Sequence, residues 1–215
     1  MKLKTLIFGP ILFCLLWFLG WEAYAIWDAR QKTSAVFEAL ARDGRVQVAW
    51  DDLSAEQQDI LLKVEDPKFM THKGVDLQTP GAGPSTITEA LAKALYFETI
   101  TPGFFEIEHR LIAFFVIDPK VSKQTQLDAF LNLAAFGRHN GRAITGFDEA
   151  ARVFFAKPLR NLTRFEFVQL VAMLAGPDRY APGTPAHQTR TARIERYLGG
   201  KCAPLSRADT LYEAC

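Results

Sequence analysis

Cysteine is scarce in this chain, net charge is almost absent, and no stretch alternates apolar and polar residues as a strand would. Three cysteines, Cys14, Cys202 and Cys215, are too few for a disulfide framework to organise the chain. Cys14 lies in an apolar run, where a thiol behaves as a small hydrophobe. Cys202 and Cys215 close a short C-terminal loop, as a disulfide if that end is exported or otherwise as two free thiols. A formal net charge of +1 gives no basis for binding nucleic acid. The missing strand pattern and the lack of internal repeats point to an all-α fold. What is present is 215 residues, 49% hydrophobic, enough for one domain with a sizeable core plus an anchor.

The anchor is at the N-terminus. Met1-Lys2-Leu3-Lys4 is a basic leader, and Thr5 to Trp21 is uncharged and mostly Leu, Phe, Ile and Trp. At 1.5 Å per residue that run spans about 26 Å, and extension to Trp27 reaches the roughly 30 Å of a bilayer core. Trp17, Trp21, Tyr24 and Trp27 suit an interfacial belt, and the basic leader puts the N-terminus in the cytoplasm and the rest outside. Ala23-Tyr24-Ala25 also spells a cleavage site, but the apolar run exceeds the usual signal-peptide length. Residues 1–27 are therefore read as a signal-anchor transmembrane helix. Residues 28–50 are a stalk, polar and partly helical from Arg30 to Arg42, with an extended piece from Val46 to Trp50. Residues 51–200 form the domain and residues 201–215 a C-terminal tail.

The domain is organised around the stretch from Val64 to Gly74. Ile60, Leu61 and Val64 recur at helical spacing before it, Ser54 and Gln57 spell a capping box, and Pro67 stops the helix near Asp66. Glu65 thus sits at a helix C-terminus, where free carbonyls disfavour a carboxylate. Such local violations cluster at functional sites, the ordinary alternative being a solvated acidic pair at a turn. After a Pro/Gly loop from Leu77 to Pro84, Ser85 or Thr86 caps a helix, with Thr86 and Glu89 a second capping box. Ile87, Ala90, Leu91, Ala94 and Leu95 form its buried stripe, and Glu89 and Lys93 a surface ion pair. Thr101-Pro102-Gly103 breaks the chain. Phe104 to Ile117 is an apolar helix whose aromatics either fill the core or dip into a membrane surface. Ser122 caps a helix to Asn132, and Gly137 to Gly141 is a polar turn. Helices follow at Phe147–Phe155, from Thr163 (a third capping box, with Glu166) to Ala175, and at His187–Leu198, the last basic on one face.

Four segments, in order, resemble the peptidoglycan glycosyltransferase family (family 51 glycosyltransferases). They are Glu65-Asp66-x-x-Phe69-x-x-His72-x-Gly74, then Ser85-Thr86-Ile87-Thr88-Glu89-Ala90-Leu91-Ala92-Lys93, then Ser122-Lys123 with Asp128 to Asn132, and Phe155 to Pro158 with Leu162-Thr163. The likeness runs from Ser54 to Pro182. It implies a lysozyme-like helical domain in a divergent, monofunctional member, since no Ser-x-x-Lys transpeptidase motif occurs. The implied activity is polymerisation of lipid II into glycan strands with release of undecaprenyl pyrophosphate. The implied cofactor is Mg2+ or another divalent metal. The implied partners are lipid II, the nascent glycan strand, the membrane and other cell-wall synthesis proteins. The implied location is the bacterial inner (plasma) membrane, single-pass, with the catalytic domain in the periplasm. Residue by residue, the resemblance makes Glu65 the catalytic base. Asp66, Phe69 and His72 bind substrate by shaping the cleft, Ser85, Thr86 and Thr88 contact it, and Lys93 meets the pyrophosphate, for which a helix N-terminus is also suited.

The chain also departs from the family. A second glutamate is expected on the helix after Lys93, but counting forward from Lys93 reaches His109 and counting back from Lys123 reaches Arg110. Glu108 is the nearest candidate for the second catalytic carboxylate, one or two residues off, which is about 100–200° around a helix. Arg110 is read as added positive charge for the substrate. The family's loop arginine is missing near Thr101, the loop between Asp76 and Ser85 is short, and Glu89-Ala90 replaces Gln-Gln. Two other readings stay open: a catalytically degenerate relative that binds lipid II, glycan or wall-synthesis partners, and a wall-cleaving lytic enzyme with Glu65 as acid.

Overall fold

Helices form where the chain supplies caps and apolar periodicity, and the computed structural model describes residues 2–97 and 105–215. The expected break at Thr101-Pro102-Gly103, and Phe104, lie outside the described residues. Helix α1 (Lys2–Arg42) is continuous over 41 residues. Its part from Gly9 to Arg42 is long and apolar enough to cross a membrane. Leu12, Phe13, Trp17, Trp21 and Trp27 are exposed along it. A contiguous apolar surface of this size suits lipid rather than water.

The stalk is not a free spacer. Ala29, Thr33, Phe37 and Leu40 are buried, and their spacing puts all four on one helix face. The polar residues between them take the opposite face, so a segment polar in composition still presents a buried stripe. Arg30 Nη1 donates to the Phe115 carbonyl at 3.0 Å, and Lys120 Nζ donates to the Arg30 carbonyl at 2.6 Å. The extended piece that follows is held by the next part of the chain with family likeness. Asn132 Oδ1 accepts from the backbone of Gln47 and Val48, and Asp128 Oδ1 accepts from Trp50 N at 2.6 Å.

The domain contains α2 (Ala55–Glu65), α3 (Ile87–Tyr96) and α4 (Phe105–Ile112). Helix α4 runs into a π-helical turn, Ala113–Ile117, and the short α5 (Asp118–Lys120). Then come α6 (Lys123–Leu133), strands β1 (Ala135–His139) and β2 (Arg142–Thr145), and α7 (Phe147–Phe155), α8 (Arg164–Met173) and α9 (Pro185–Leu198). The three capping boxes are all formed, at Ser54, Thr86 and Thr163. In α8, Phe167, Val168, Leu170, Val171, Ala172 and Met173 are all fully buried, because α2, α7 and α9 pack around it. Phe147 anchors an aromatic cluster beside α8, with ring centroids 5.0 Å from Phe136 and 6.0 Å from Phe130.

The all-α expectation holds apart from one antiparallel hairpin where a polar turn was read. Asn140 and Gly141 both have positive φ, the geometry of a two-residue turn whose twist matches paired strands. The strands escaped notice because they are short and mostly exposed, leaving no alternation to read. The tail is folded back and closed by a Cys202–Cys215 disulfide, with the two Cα atoms 5.6 Å apart.

Candidate functional site

The acidic pair at the end of α2 divides its labour. Asp66, 1% exposed, points inward. Its carboxylate accepts from Ile87 N at 3.0 Å and meets His72 Nε2 at 2.9 Å, tying the end of α2 to the start of α3. Glu65, one residue earlier, lines a cavity of about 540 Å³ together with Ser85, Thr86, Lys93 and Phe97. Ala134, Ala135 and Pro177 close another wall, so the hairpin and the turn after α8 help to shape it. The Glu65 carboxyl is pushed up to about 7 by burial and by the neighbouring Asp66 charge, against the pull of Arg190 from α9. That value puts the group where it can accept or release a proton at neutral pH.

The start of α3 is built from interlocking hydrogen bonds. Thr86 Oγ1 accepts from Glu89 N at 3.1 Å and donates to the Gly74 carbonyl at 2.6 Å, and Glu89 Oε2 accepts from Thr86 N at 2.7 Å. Glu89 is not the exposed partner of Lys93 that the i,i+4 spacing suggested. It is 1% exposed, and Arg110 Nε donates to its Oε1 at 3.0 Å. Burial raises its pKa, but the nearby His109, the Thr86 N–H and the Arg110 guanidinium together hold it below the usual carboxylate range. Ala94 of the expected buried stripe is exposed, while Thr88 and Ala92 are buried instead, because α6 and α4 clasp that side of α3.

A larger cleft of about 760 Å³ lies alongside, with Lys68, His72, Asp76 and Arg110 at its polar edge and Leu111, Phe114 and Phe115 on its apolar wall. Arg110 Nη2 also donates at 3.3 Å to the carbonyl of Pro84, the residue before Ser85 of the Glu65 cavity. Of the expected site residues, the structure brings Glu65, Ser85, Thr86 and Lys93 to one cavity and His72 and Arg110 to the other. It does not bring three substrate-binding candidates to either. Asp66 spends its charge on the α2–α3 junction. Phe69 is a core residue under the Lys123 ammonium, 4.4 Å from its ring, and Lys123 itself pairs with Asp118 at 2.6 Å. Thr88 is buried and donates to Gln126 Oε1 at 2.7 Å. These three side chains line neither cavity.

Glu108, the candidate second carboxylate, lines neither cleft. It lies close enough to Glu22 of α1 for their charges to repel, and burial raises its own pKa. The helical rotation between Glu108 and Arg110 decides this: two residues turn the side chain by about 200°, so when Arg110 faces the cleft Glu108 faces α1. Among the described residues no three His, Cys, Asp or Glu side chains converge as a ligand set. Arg190 was not found by sequence reasoning. Its only signal was membership of the basic face of α9, which marks a surface far more often than a buried charge.

A family model described as Transglycosylase matches residues 32–199. Penicillin-binding protein 1B of Vibrio cholerae serotype O1 is 29% identical over 175 residues, covering 75% of this chain and 22% of that protein. The biosynthetic peptidoglycan transglycosylase of Alcanivorax borkumensis is 28% identical, covering 84% of this chain and 78% of its own. That of Aeromonas hydrophila is 30% identical, covering 71% and 68%. The chain thus spans about a fifth of the first relative and most of the other two. With the match running from within α1 to the end of α9, and with Glu65, Ser85, Thr86 and Lys93 gathered in one cavity, the chain belongs to the transglycosylase family.

Proposed function

We propose that this chain is a peptidoglycan glycosyltransferase that polymerises lipid II, with Glu65 as general base. The observation that carries this reading is the shared cavity of Glu65 and Lys93, with the Glu65 carboxyl at about 7. The acceptor sugar hydroxyl attacks the anomeric carbon of the growing strand. Its proton passes to Glu65, a new C–O glycosidic bond forms, and the anomeric C–O bond to undecaprenyl pyrophosphate breaks with the electron pair leaving on the pyrophosphate. Lys93 from the cavity and Arg110 from the adjoining cleft offset the charge that develops on the leaving group. Ser85 lines the cavity beside the N-terminus of α3, and Thr86, whose hydroxyl and N–H are held by Gly74 and Glu89, keeps that turn in place. A divalent ion, Mg2+ or another, would enter as the counter-ion of the pyrophosphate.

The same reading makes α1 a single-pass anchor in a bacterial inner membrane, with the N-terminus cytoplasmic and the domain in the periplasm. The Cys202–Cys215 disulfide suits that oxidising compartment. Phe114 and Phe115, exposed beside α1, lie against the membrane surface where a prenyl-linked substrate is held. Phe114→Ser/Phe115→Ser is expected to raise KM for lipid II in vesicles several-fold while leaving the thermal transition in place. An unchanged KM would remove the membrane role of this pair. Other wall-synthesis proteins are the expected protein partners.

The test is polymerisation of lipid II by the full-length protein in lipid vesicles. Strands are expected from the wild-type chain, and Lys93→Met is expected to lower kcat by roughly 10²–10³-fold. One observation favours a second reading, a non-catalytic binder of lipid II or glycan. Glu65 is the sole carboxylate among the described residues lining its cavity. Binding of lipid II without strand formation would establish that reading and overturn the first. Release of cleaved muropeptides would identify a lytic enzyme instead.

A further inference from the structure

Residues 200–215 lie beyond the segment that matches the family, yet they pack against the chain beside Glu65 and against the loop that leads to Ser85. Three arginines spaced along α9 donate to tail carbonyls: Arg190 to Thr210, Arg193 to Leu211 at 3.3 Å, and Arg196 to Cys215. The basic face of α9 is therefore a cradle for this segment. Tyr212 is 1% exposed, stacks on Tyr197 with centroids 4.7 Å apart, and donates to the Val64 carbonyl, next to Glu65, at 3.1 Å. The other side of the tail grips the short loop that leads to Ser85. Gly81 N donates to the Ser206 carbonyl at 3.0 Å and Gly83 N to the Arg207 carbonyl at 2.9 Å. Both glycines have positive φ, and a Cβ at either would lie 2.7 Å from a tail side chain, Pro204 or Thr210. The Cys202–Cys215 bond closes the tail into a loop.

We propose that this disulfide-clamped tail is a positioning element for Glu65, closing the underside of its cavity against water. The proposal rests on Glu65 as the functional carboxylate of the cavity. The charged and titratable groups around Glu65 are Asp66 at the end of α2, Arg190 on α9, Tyr212 on the tail and Lys93 across the cavity. Burial holds the Glu65 pKa up and Arg190 draws it down. The two effects have opposite signs, so they can be separated. Freeing the tail admits water and lowers the titration midpoint, whereas neutralising Arg190 raises it. Loss of a merely structural brace would lower activity at every pH without moving the midpoint in either direction.

The experiment follows the Glu65 carboxyl carbon by NMR in full-length protein labelled with 13C at the glutamate carboxyl, with Glu65→Gln used for assignment. The wild-type midpoint is expected at about 7. Cys202→Ser/Cys215→Ser, and independently Tyr212→Ala, are expected to lower it by about one pH unit or more, and Arg190→Gln to raise it. Helical circular dichroism accompanies each variant. An unchanged midpoint in both tail variants, with helical content kept, overturns the proposal. The readout does not depend on turnover. A wild-type protein that makes no strands would defeat the glycosyltransferase reading while leaving this test intact. In an active protein the acid limb of the rate profile is expected to move with the midpoint. A limb that stays while the midpoint moves would remove Glu65 as the base and leave the role of the tail standing.

Discussion

Glu65→Gln is expected to stop strand synthesis and, at about pH 8, to make the fold more stable than the wild-type chain. Removing a general base costs typically 10²–10⁴-fold in rate, and Gln keeps the shape of the carboxyl while losing its capacity to take the proton. The stability gain follows from the same burial that tunes the base. In the fold the group titrates at about 7, against an ordinary value of 4.5, so the folded chain binds this proton more tightly than the unfolded one. The contribution of Glu65 to stability is therefore fully present below about pH 4.5. It is lost as pH rises through about 7, where the ionised form costs roughly 3 kcal/mol. Gln resembles the protonated state at every pH. For a chain of this length the difference corresponds to about 6–12 °C in Tm. Thermal melts of both proteins at about pH 5 and about pH 8 test it. The gap should open only at the higher pH. Equal melting at both values would mean that Glu65 is solvated in the fold, and equal turnover would mean that the base lies elsewhere.

Gly74→Ala is expected to destabilise the domain by about 2–5 kcal/mol and to impair turnover, although Gly74 touches no catalytic group. Its φ is +80°, which costs a residue with a Cβ about 1–2 kcal/mol. A Cβ there would lie 2.5 Å from the Ala113 carbonyl oxygen, 2.8 Å from its carbon and 3.1 Å from the Asp118 Cβ. The closest atoms are backbone of the π-helical turn, so no rotamer change relieves the overlap, and overpacking of this kind adds roughly 1–3 kcal/mol. The Gly74 carbonyl also accepts from Thr86 Oγ1, so displacement of the loop is passed to the N-terminus of α3 and to Ser85 and Lys93. Gly141→Ala provides the comparison. Gly141 has the same φ of +80° but open space around its missing Cβ, so only the strain of about 1–2 kcal/mol is expected there. Urea unfolding of the two variants separates overlap from strain. A Gly74→Ala protein no less stable than Gly141→Ala would mean that the π-helical turn and the Gly74 loop are not in this close contact.

Within a few residues, sequence and structure agree closely. Ser54 with Gln57, Thr86 with Glu89 and Thr163 with Glu166 form their capping boxes as spelled, Pro67 ends α2 after Glu65, and α7 runs from Phe147 to Phe155. These features depend on groups at most four residues apart, so local order suffices to specify them. The ordered family motifs likewise bring out Glu65 and Lys93 from the sequence. What tertiary structure alone decided is the environment of each charge. The same i,i+4 spacing that pairs Glu89 with Lys93 on paper gives way to Arg110, delivered by another helix. Glu108 and Arg110, two residues apart, are separated by helical rotation into opposite surroundings, and the polar stalk hides a buried face. The tuning of Glu65 comes from burial, from Arg190 on α9 and from Asp66, a combination that exists only in the assembled domain. Desolvation and charge act through space, and the chain brings those groups together across separations that local propensity does not reach.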